Sequence, residues 1–144
     1  MNKRVLVAGG AGYIGSHTTV ELMAAGYEVI VVDNFSNSDA SSLDGIERIT
    51  GVRPTFIEAD CCDKGAMRKV FEAYDFDSVI HFAAFKAVGE SVVEPMKYYR
   101  NNIISLVNIL ELMKEYGRRN VVFSSSATVY GDADTLPVTE QTPR

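Results

Sequence analysis

Cysteine, histidine and surplus positive charge are all scarce in this 144-residue chain, and each shortage removes a class of function. The two cysteines, Cys61 and Cys62, are adjacent, a poor geometry for an ordinary structural disulfide. No Cys/His grouping has metal-ligand spacing, so no metal is expected, and the thiols point to a reducing compartment. Fourteen Lys and Arg stand against nineteen Asp and Glu, a net charge of −5 with no basic stripe, which excludes a nucleic-acid surface. Any phosphate must therefore be held locally rather than by a general positive field. No apolar stretch approaches the roughly 18 residues of a membrane span, and no signal-peptide core precedes the first apolar run. The expectation is a soluble cytoplasmic protein with no membrane partner. At this length one domain suffices, and it would bury roughly 68 to 70% of the surface its unfolded chain exposes.

The most informative segment is Gly9-Gly10-Ala11-Gly12-Tyr13-Ile14-Gly15, set between the apolar run at 5–8 and a helix-like stretch. Two glycine frames overlap there, one from Gly10 and one from Gly9. The backbone can thus turn tightly and approach a pyrophosphate at the N-terminus of the following helix. Taken alone, such a pattern also fits an ordinary strand-to-helix turn. A second apolar run at 28–32 ends in Asp33, 21 positions beyond Gly12 and 18 beyond Gly15. An acid so placed accepts from the adenosine ribose hydroxyls, the alternative being a solvated strand-end carboxylate. Its charge would repel a 2′-phosphate, and no Lys or Arg lies between Asp33 and Glu47 to neutralise one. The reading is NAD rather than NADP.

Short β-branched runs alternate with helical segments along the chain. Strands are expected at 4–8, 28–33, 54–60, 78–82 and 120–124, and helices at 12–25, 42–49, 64–74 and 95–116. This alternation predicts an α/β protein with a Rossmann-type, doubly wound parallel sheet. Right-handed crossovers favour the strand order 3-2-1-4-5, with the ligand crevice between the first and fourth strands. Helix 95–116 has apolar residues at 103, 104, 106, 107, 109, 110, 112 and 113, more than one stripe. A second covering surface is implied, from this chain or from a second subunit, unless the helix is a deeply buried one. Residues 1–131 read as the cofactor-binding domain. The segment 132–144, with two prolines and no periodicity, reads as a polar loop.

Three further stretches join the glycine turn: Asp33-Asn34-Phe35-Ser36-Asn37-Ser38, His81-Phe82-Ala83-Ala84-Phe85-Lys86-Ala87-Val88-Gly89-Glu90-Ser91, and Ser124-Ser125-Ser126-Ala127-Thr128-Val129-Tyr130-Gly131. Together they resemble the UDP-glucose 4-epimerase family of extended short-chain dehydrogenase/reductases, across essentially the whole chain. The resemblance implies NAD-dependent interconversion of UDP-galactose and UDP-glucose through a 4-keto sugar, with the cofactor unchanged at the end. It places Gly9, Gly12 and Gly15 in the phosphate turn, with Tyr13 and Ile14 at the pyrophosphate. Asp33, Asn34, Phe35, Ser36, Asn37 and Ser38 would hold the adenosine ribose, and Asp60 and Cys61 would border the adenine. Phe82, Ala83, Ala84, Phe85 and Lys86 would run toward the nicotinamide ribose, with Lys86 also adding positive charge near the UDP-hexose substrate. Asn101 is a further implied cofactor contact. Ser126 matches the catalytic serine that hydrogen-bonds the reacting sugar hydroxyl. The apolar pattern of the helix from Pro95 to Tyr116 gives the expectation of a homodimer for the full-length protein.

Each residue has a plainer reading. Ser126 could cap the end of its strand, Lys86 could be a solvated loop lysine, and Tyr13, Phe82 and Phe85 could be wall or core residues. Asn101 and Asn102 are poor helix formers in mid-helix, which hints at a purpose. His17 and His81 are left to local hydrogen bonds. The family's proton-transfer base, the tyrosine of a Tyr-x-x-x-Lys motif, is not found: none of the seven tyrosines is followed four positions later by lysine. In the family that motif and the sugar-nucleotide subdomain come after the loop containing Tyr130, past Arg144. The sheet is accordingly expected to be truncated, with an open edge at its fifth strand, poor solubility and no turnover by this chain alone. A 4,6-dehydratase would carry Asp-Glu after the equivalent of Ser126, where Ala127-Thr128 stands. A non-catalytic NAD-sensing module is the remaining alternative.

Overall fold

Uninterrupted apolar runs such as 5–8 and 29–32 are what a strand needs when both of its faces are covered. The computed structural model describes residues 3–143 and gives them that setting. In chain order the elements are β1 (Arg4–Ala8), α1 (Tyr13–Ala24), β2 (Glu28–Asp33), α2 (Ser41–Thr50), β3 (Thr55–Glu58), α3 (Lys64–Ala73), β4 (Ser78–His81), α4 (Val88–Val93), α5 (Pro95–Glu115) and β5 (Asn120–Phe123). A 3-10 turn, Ala127–Tyr130, follows β5.

All five strands are parallel in the expected order, β3-β2-β1-β4-β5. Register places Val7 between Val31 and Ile80, and Ala8 between Val32 and His81. The period of two then sorts the side chains into two layers. Leu6, Ala8, Ile30, Val32 and Val79 face α3 and α5 through Met67, Phe71, Ile109 and Leu112. Val5, Val7, Val29 and Val31 face the opposite layer, where Leu43 and Ile46 of α2 and Val20 and Met23 of α1 pack. Leu6, Ile30, Met67, Ile109 and Leu112 are fully buried, each worth about 1.5–3 kcal/mol of transfer free energy.

Helix ends follow local chemistry. Asp63 caps α3 by accepting from the Ala66 N–H at 3.0 Å. Beyond α1, Gly26 adopts φ +85°, which lets the Tyr27 N–H reach the Leu22 carbonyl at 3.0 Å and turns the chain into β2. The helices α3 and α5 are laced by Lys64–Glu111 at 2.6 Å and by Arg68–Glu115.

Element boundaries differ from expectation where side chains compete for the backbone. β3 is shorter at both ends: Pro54 has no N–H to give, and Asp60 folds into its own turn by accepting from the Cys62 N–H at 2.7 Å. The helix α4 is not among the expected helices; at six residues its periodicity is too short to register. β5 ends the sheet with all four of its residues exposed. Through Pro143 the segment after Gly131 carries no helix or strand; Met1, Asn2 and Arg144 lie outside the described residues.

Candidate functional site

A parallel sheet leaves its functional crevice at the carboxyl ends of the strands, where the order reverses. Here the reversal is between β1, β2 and β4, and a cleft opens at that point. Gly9 forms its floor at φ +78°, so close to the segment after β4 that a Cβ would stand 2.6 Å from the Ala83 nitrogen. Gly15 lies beneath the turn, where a Cβ would be 2.1 Å from the Gly9 carbonyl oxygen. Both are glycine because the protein's own backbone fills the space. Gly12 is different: its φ of −70° suits any residue, and a Cβ there would meet only the Gly9 oxygen at 3.4 Å. Its missing side chain leaves room for something the protein does not itself supply. Gly12 is also the N-cap of α1, with no side-chain cap, so the first N–H groups of that helix face the opening.

Asp33 ends β2 at 9% exposure, and its carboxylate organises the rim. One oxygen accepts from the Ala11 N–H at 3.1 Å, the other from the Phe35 N–H at 3.0 Å and the Ser38 hydroxyl at 2.9 Å. Phe35 is held at φ 53°, a left-handed conformation uncommon for a side chain of its size. Its ring turns out of the cleft to stack on Phe56 at 4.8 Å. Across the cleft stand Asp60 and the buried Cys61, whose thiol is pushed up to about 12, chiefly by burial and then by the Asp60 charge. Cys61 is a wall, not a nucleophile.

The cleft brings together Gly9, Gly12, Asp33, Asn34, Ser36, Asn37, Ser38, Asp60, Cys61, Phe82, Ala83, Ala84, Phe85 and Asn101. Five of the expected cofactor residues do not line it. Tyr13 and Ile14 project from the first turn of α1 at 82% and 56% exposure, Gly15 is covered, Phe35 points away, and Lys86 belongs to a neighbouring hollow. Val32, Ala59 and Ser105 line the cleft without having been singled out. Val32 lies in the apolar run at 28–32 and Ala59 within the strand expected at 54–60, and Ser105 is flanked by apolar residues in the sequence.

The neighbouring hollow shares Phe82, Ala83 and Ala84 with the cleft and holds Lys86 and Ser126 together. Ser126 caps the 3-10 turn, accepting from the Thr128 hydroxyl at 2.9 Å and from its N–H at 3.4 Å. Ser126 thus caps the turn that follows rather than the end of its strand, and its own proton is free to donate. His81 forms the floor at 2% exposure, its Nε2 3.4 Å from the Ser105 hydroxyl and its ring stacked on Phe123. Its Nδ1 has no partner among the described residues. Burial, with a smaller contribution from the Lys86 charge, lowers its pKa to about 4, so it is neutral at physiological pH. His17 packs edge-on against Tyr13 at 4.9 Å. Among the described residues no three His, Cys, Asp or Glu side chains cluster as metal ligands, and no helix is long and apolar enough to cross a membrane.

A family model described as GDP-mannose 4,6 dehydratase matches residues 6–144. The chain is 52% identical to UDP-glucose 4-epimerase 2 of Arabidopsis thaliana, over 99% of this chain and 42% of that protein. With the UDP-glucose 4-epimerase of Bacillus subtilis it shares 54% identity, over 96% of this chain and 41% of the relative. Among solved structures, the UDP-glucose 4-epimerase from Bifidobacterium longum in complex with NAD+ and UDP superposes with a TM-score of 0.94 at 48% identity, covering 98% of this chain and 42% of that one. The chain thus spans about two fifths of the length of the relatives it matches.

Proposed function

The chain belongs to the GDP-mannose 4,6 dehydratase family, in which the relatives it matches are UDP-glucose 4-epimerases, and from this we propose that it is the NAD-binding part of an enzyme interconverting UDP-galactose and UDP-glucose. The observation that carries the reading is Gly12: an uncapped helix N-terminus, bare of any Cβ, opening into a cleft whose far rim ends in Asp33. A pyrophosphate fits the first N–H groups of α1, and the remaining lone pairs of the Asp33 carboxylate suit the two ribose hydroxyls. The same charge disfavours a 2′-phosphate. Asp60, Cys61 and Ala59 form a narrow wall for adenine, and Phe82 to Phe85 lead away from it toward Lys86 and Ser126.

When bound, NAD supplies a reversible two-electron acceptor for a sugar carbinol carbon. The chain's own residues orient the sugar beside it. The Ser126 hydroxyl, with an oxygen already engaged by Thr128, directs its proton to a reacting sugar oxygen, and Lys86 lends positive charge to the same hollow. Ala127-Thr128 offers no carboxylate pair for elimination, which favours epimerisation over dehydration. The proton-transfer base is not among the seven tyrosines, since none precedes a lysine by four positions. Turnover belongs to a longer protein, and the compartment that fits two unpaired cysteines is the cytoplasm. A second copy of the chain is the expected partner of the exposed α5 stripe Met96, Tyr99, Ile103, Val107 and Leu110.

Titration calorimetry of the 144-residue chain should detect NAD and find NADP at least tenfold weaker, a preference that Asp33→Asn narrows. The same preparation should not convert UDP-galactose. Equal affinity for the two cofactors would refute the role given to Asp33, and measurable conversion would refute the division of labour.

A further inference from the structure

The polar face of α5 has a job that neither its helix propensity nor its packing explains. Asparagine is a poor residue for a helix interior, yet α5 carries Asn101, Asn102 and Asn108 inside its 21 residues. Two of these side chains reach past the helix to main chain. Asn102 faces Phe85 as a strand neighbour would: its Oδ1 accepts from the Phe85 N–H at 2.8 Å, and its Nδ2 donates to the Phe85 carbonyl at 3.1 Å. Asn101 Nδ2 donates to the same Asn102 oxygen at 2.9 Å, fixing the amide's orientation. Two turns along, the buried Asn108 uses one nitrogen to donate to the carbonyls of Cys61 at 3.0 Å and Cys62 at 2.9 Å.

These contacts fall on opposite lips of one cleft. Phe85 belongs to the lip leading to Lys86 and Ser126, while Cys61 belongs to the lip formed by the loop after β3. Neither segment is in a strand or helix, so at these points its backbone groups have the amide grips in place of a ladder. We propose that Asn102 and Asn108 are positioning residues: α5 acts as a strut whose amides set the two lips independently, Asn102 the nicotinamide side and Asn108 the adenine side. This rests on the NAD reading given above.

Independent lips predict an asymmetry that general loosening does not. ADP reaches only the adenine side, whereas NAD spans both. Calorimetric affinities for NAD and ADP are measured on the wild-type chain, Asn102→Ala and Asn108→Ala, with melting curves as a check on folding. Asn102→Ala should weaken NAD about tenfold, the scale of two neutral hydrogen bonds, and leave ADP within about twofold. Asn108→Ala should weaken both ligands alike. Asn102→Asp, which keeps the acceptor for the Phe85 N–H and loses the donor, should fall between wild type and Asn102→Ala in its NAD-to-ADP ratio. If Asn102→Ala does not melt cooperatively, the ratio in Asn102→Asp decides. A ratio unchanged by substitution at Asn102, or one moved equally at both positions, overturns the strut. A wild-type chain that binds ADP but not NAD would instead overturn the functional reading.

Discussion

Replacing Gly12 by alanine separates what the fold requires from what the ligand requires. In the folded chain an alanine Cβ there meets only the Gly9 oxygen at 3.4 Å, ordinary van der Waals contact, and the φ of −70° needs no glycine. Removing a glycine from the unfolded chain favours folding by about 0.4–1 kcal/mol, and alanine's poorer N-capping offsets a similar amount. Net stability should therefore stay within about 1 kcal/mol of wild type. Binding should not survive, because the methyl occupies the path by which a pyrophosphate reaches the first N–H groups of α1. Losing two hydrogen bonds to a charged group, at about 1.5–3 kcal/mol each, corresponds to a loss of affinity of more than about a hundredfold. Gly15→Ala is the control with the opposite outcome. Its Cβ would fall 2.1 Å from the Gly9 oxygen, so the backbone must move by more than about 1 Å to relieve an overlap whose usual cost is about 1–3 kcal/mol or more. Urea denaturation followed by circular dichroism measures the first quantity, and calorimetry with NAD the second. Should Gly12→Ala bind NAD within about threefold of wild type, or lose as much stability as Gly15→Ala, the reasoning about the cradle is wrong.

Two further outcomes follow from the same geometry. His81 has a folded pKa of about 4 against an ordinary 6.5, so the unfolded chain binds the extra proton first as the medium is acidified. Stability should be level with respect to this group above pH 6.5 and fall progressively toward pH 4, by up to about 3 kcal/mol; His81→Phe should flatten that part of the profile in urea titrations, and an unaltered slope would clear His81 of responsibility. On α5, Val107 is 43% exposed in the middle of the apolar stripe proposed to seat a second copy, and that proposal expects Val107→Glu to sediment as a smaller species than wild type. Identical sedimentation of the two would remove this face from the subunit interface.

Much of the architecture is local and so was legible in sequence. The apolar runs at 5–8 and 29–32 have one comfortable environment, a parallel strand covered on both faces, and the helical segments between them force crossovers of one hand. Strand order and the place of the crevice follow from those facts. Boundaries were less legible, because Pro54 and Asp60 shorten β3 through individual backbone hydrogen bonds that no periodicity reports. The six residues of α4 are too few to leave a readable period.

The site divides in a similar way. Glycine spacing and the acid at 33 are enough to foretell a dinucleotide cradle, since turn geometry and ribose chemistry restrict residue type at fixed offsets. Sequence does not distinguish Gly15, where a Cβ would strike the Gly9 oxygen, from Gly12, where the fold has room for one. That distinction is a distance between atoms brought together by folding. Nor does it reveal that the Asp33 carboxylate already serves Ala11, Phe35 and Ser38, that Phe35 turns outward, or that Asn102 and Asn108 grip opposite lips of the cleft. The order of residues determined the fold class, and it carries the proposed ligand chemistry, because both depend on patterns within a few dozen positions. Which side chains line the cleft and which hold its walls was decided only by tertiary packing, because those contacts join residues 17 to 47 positions apart.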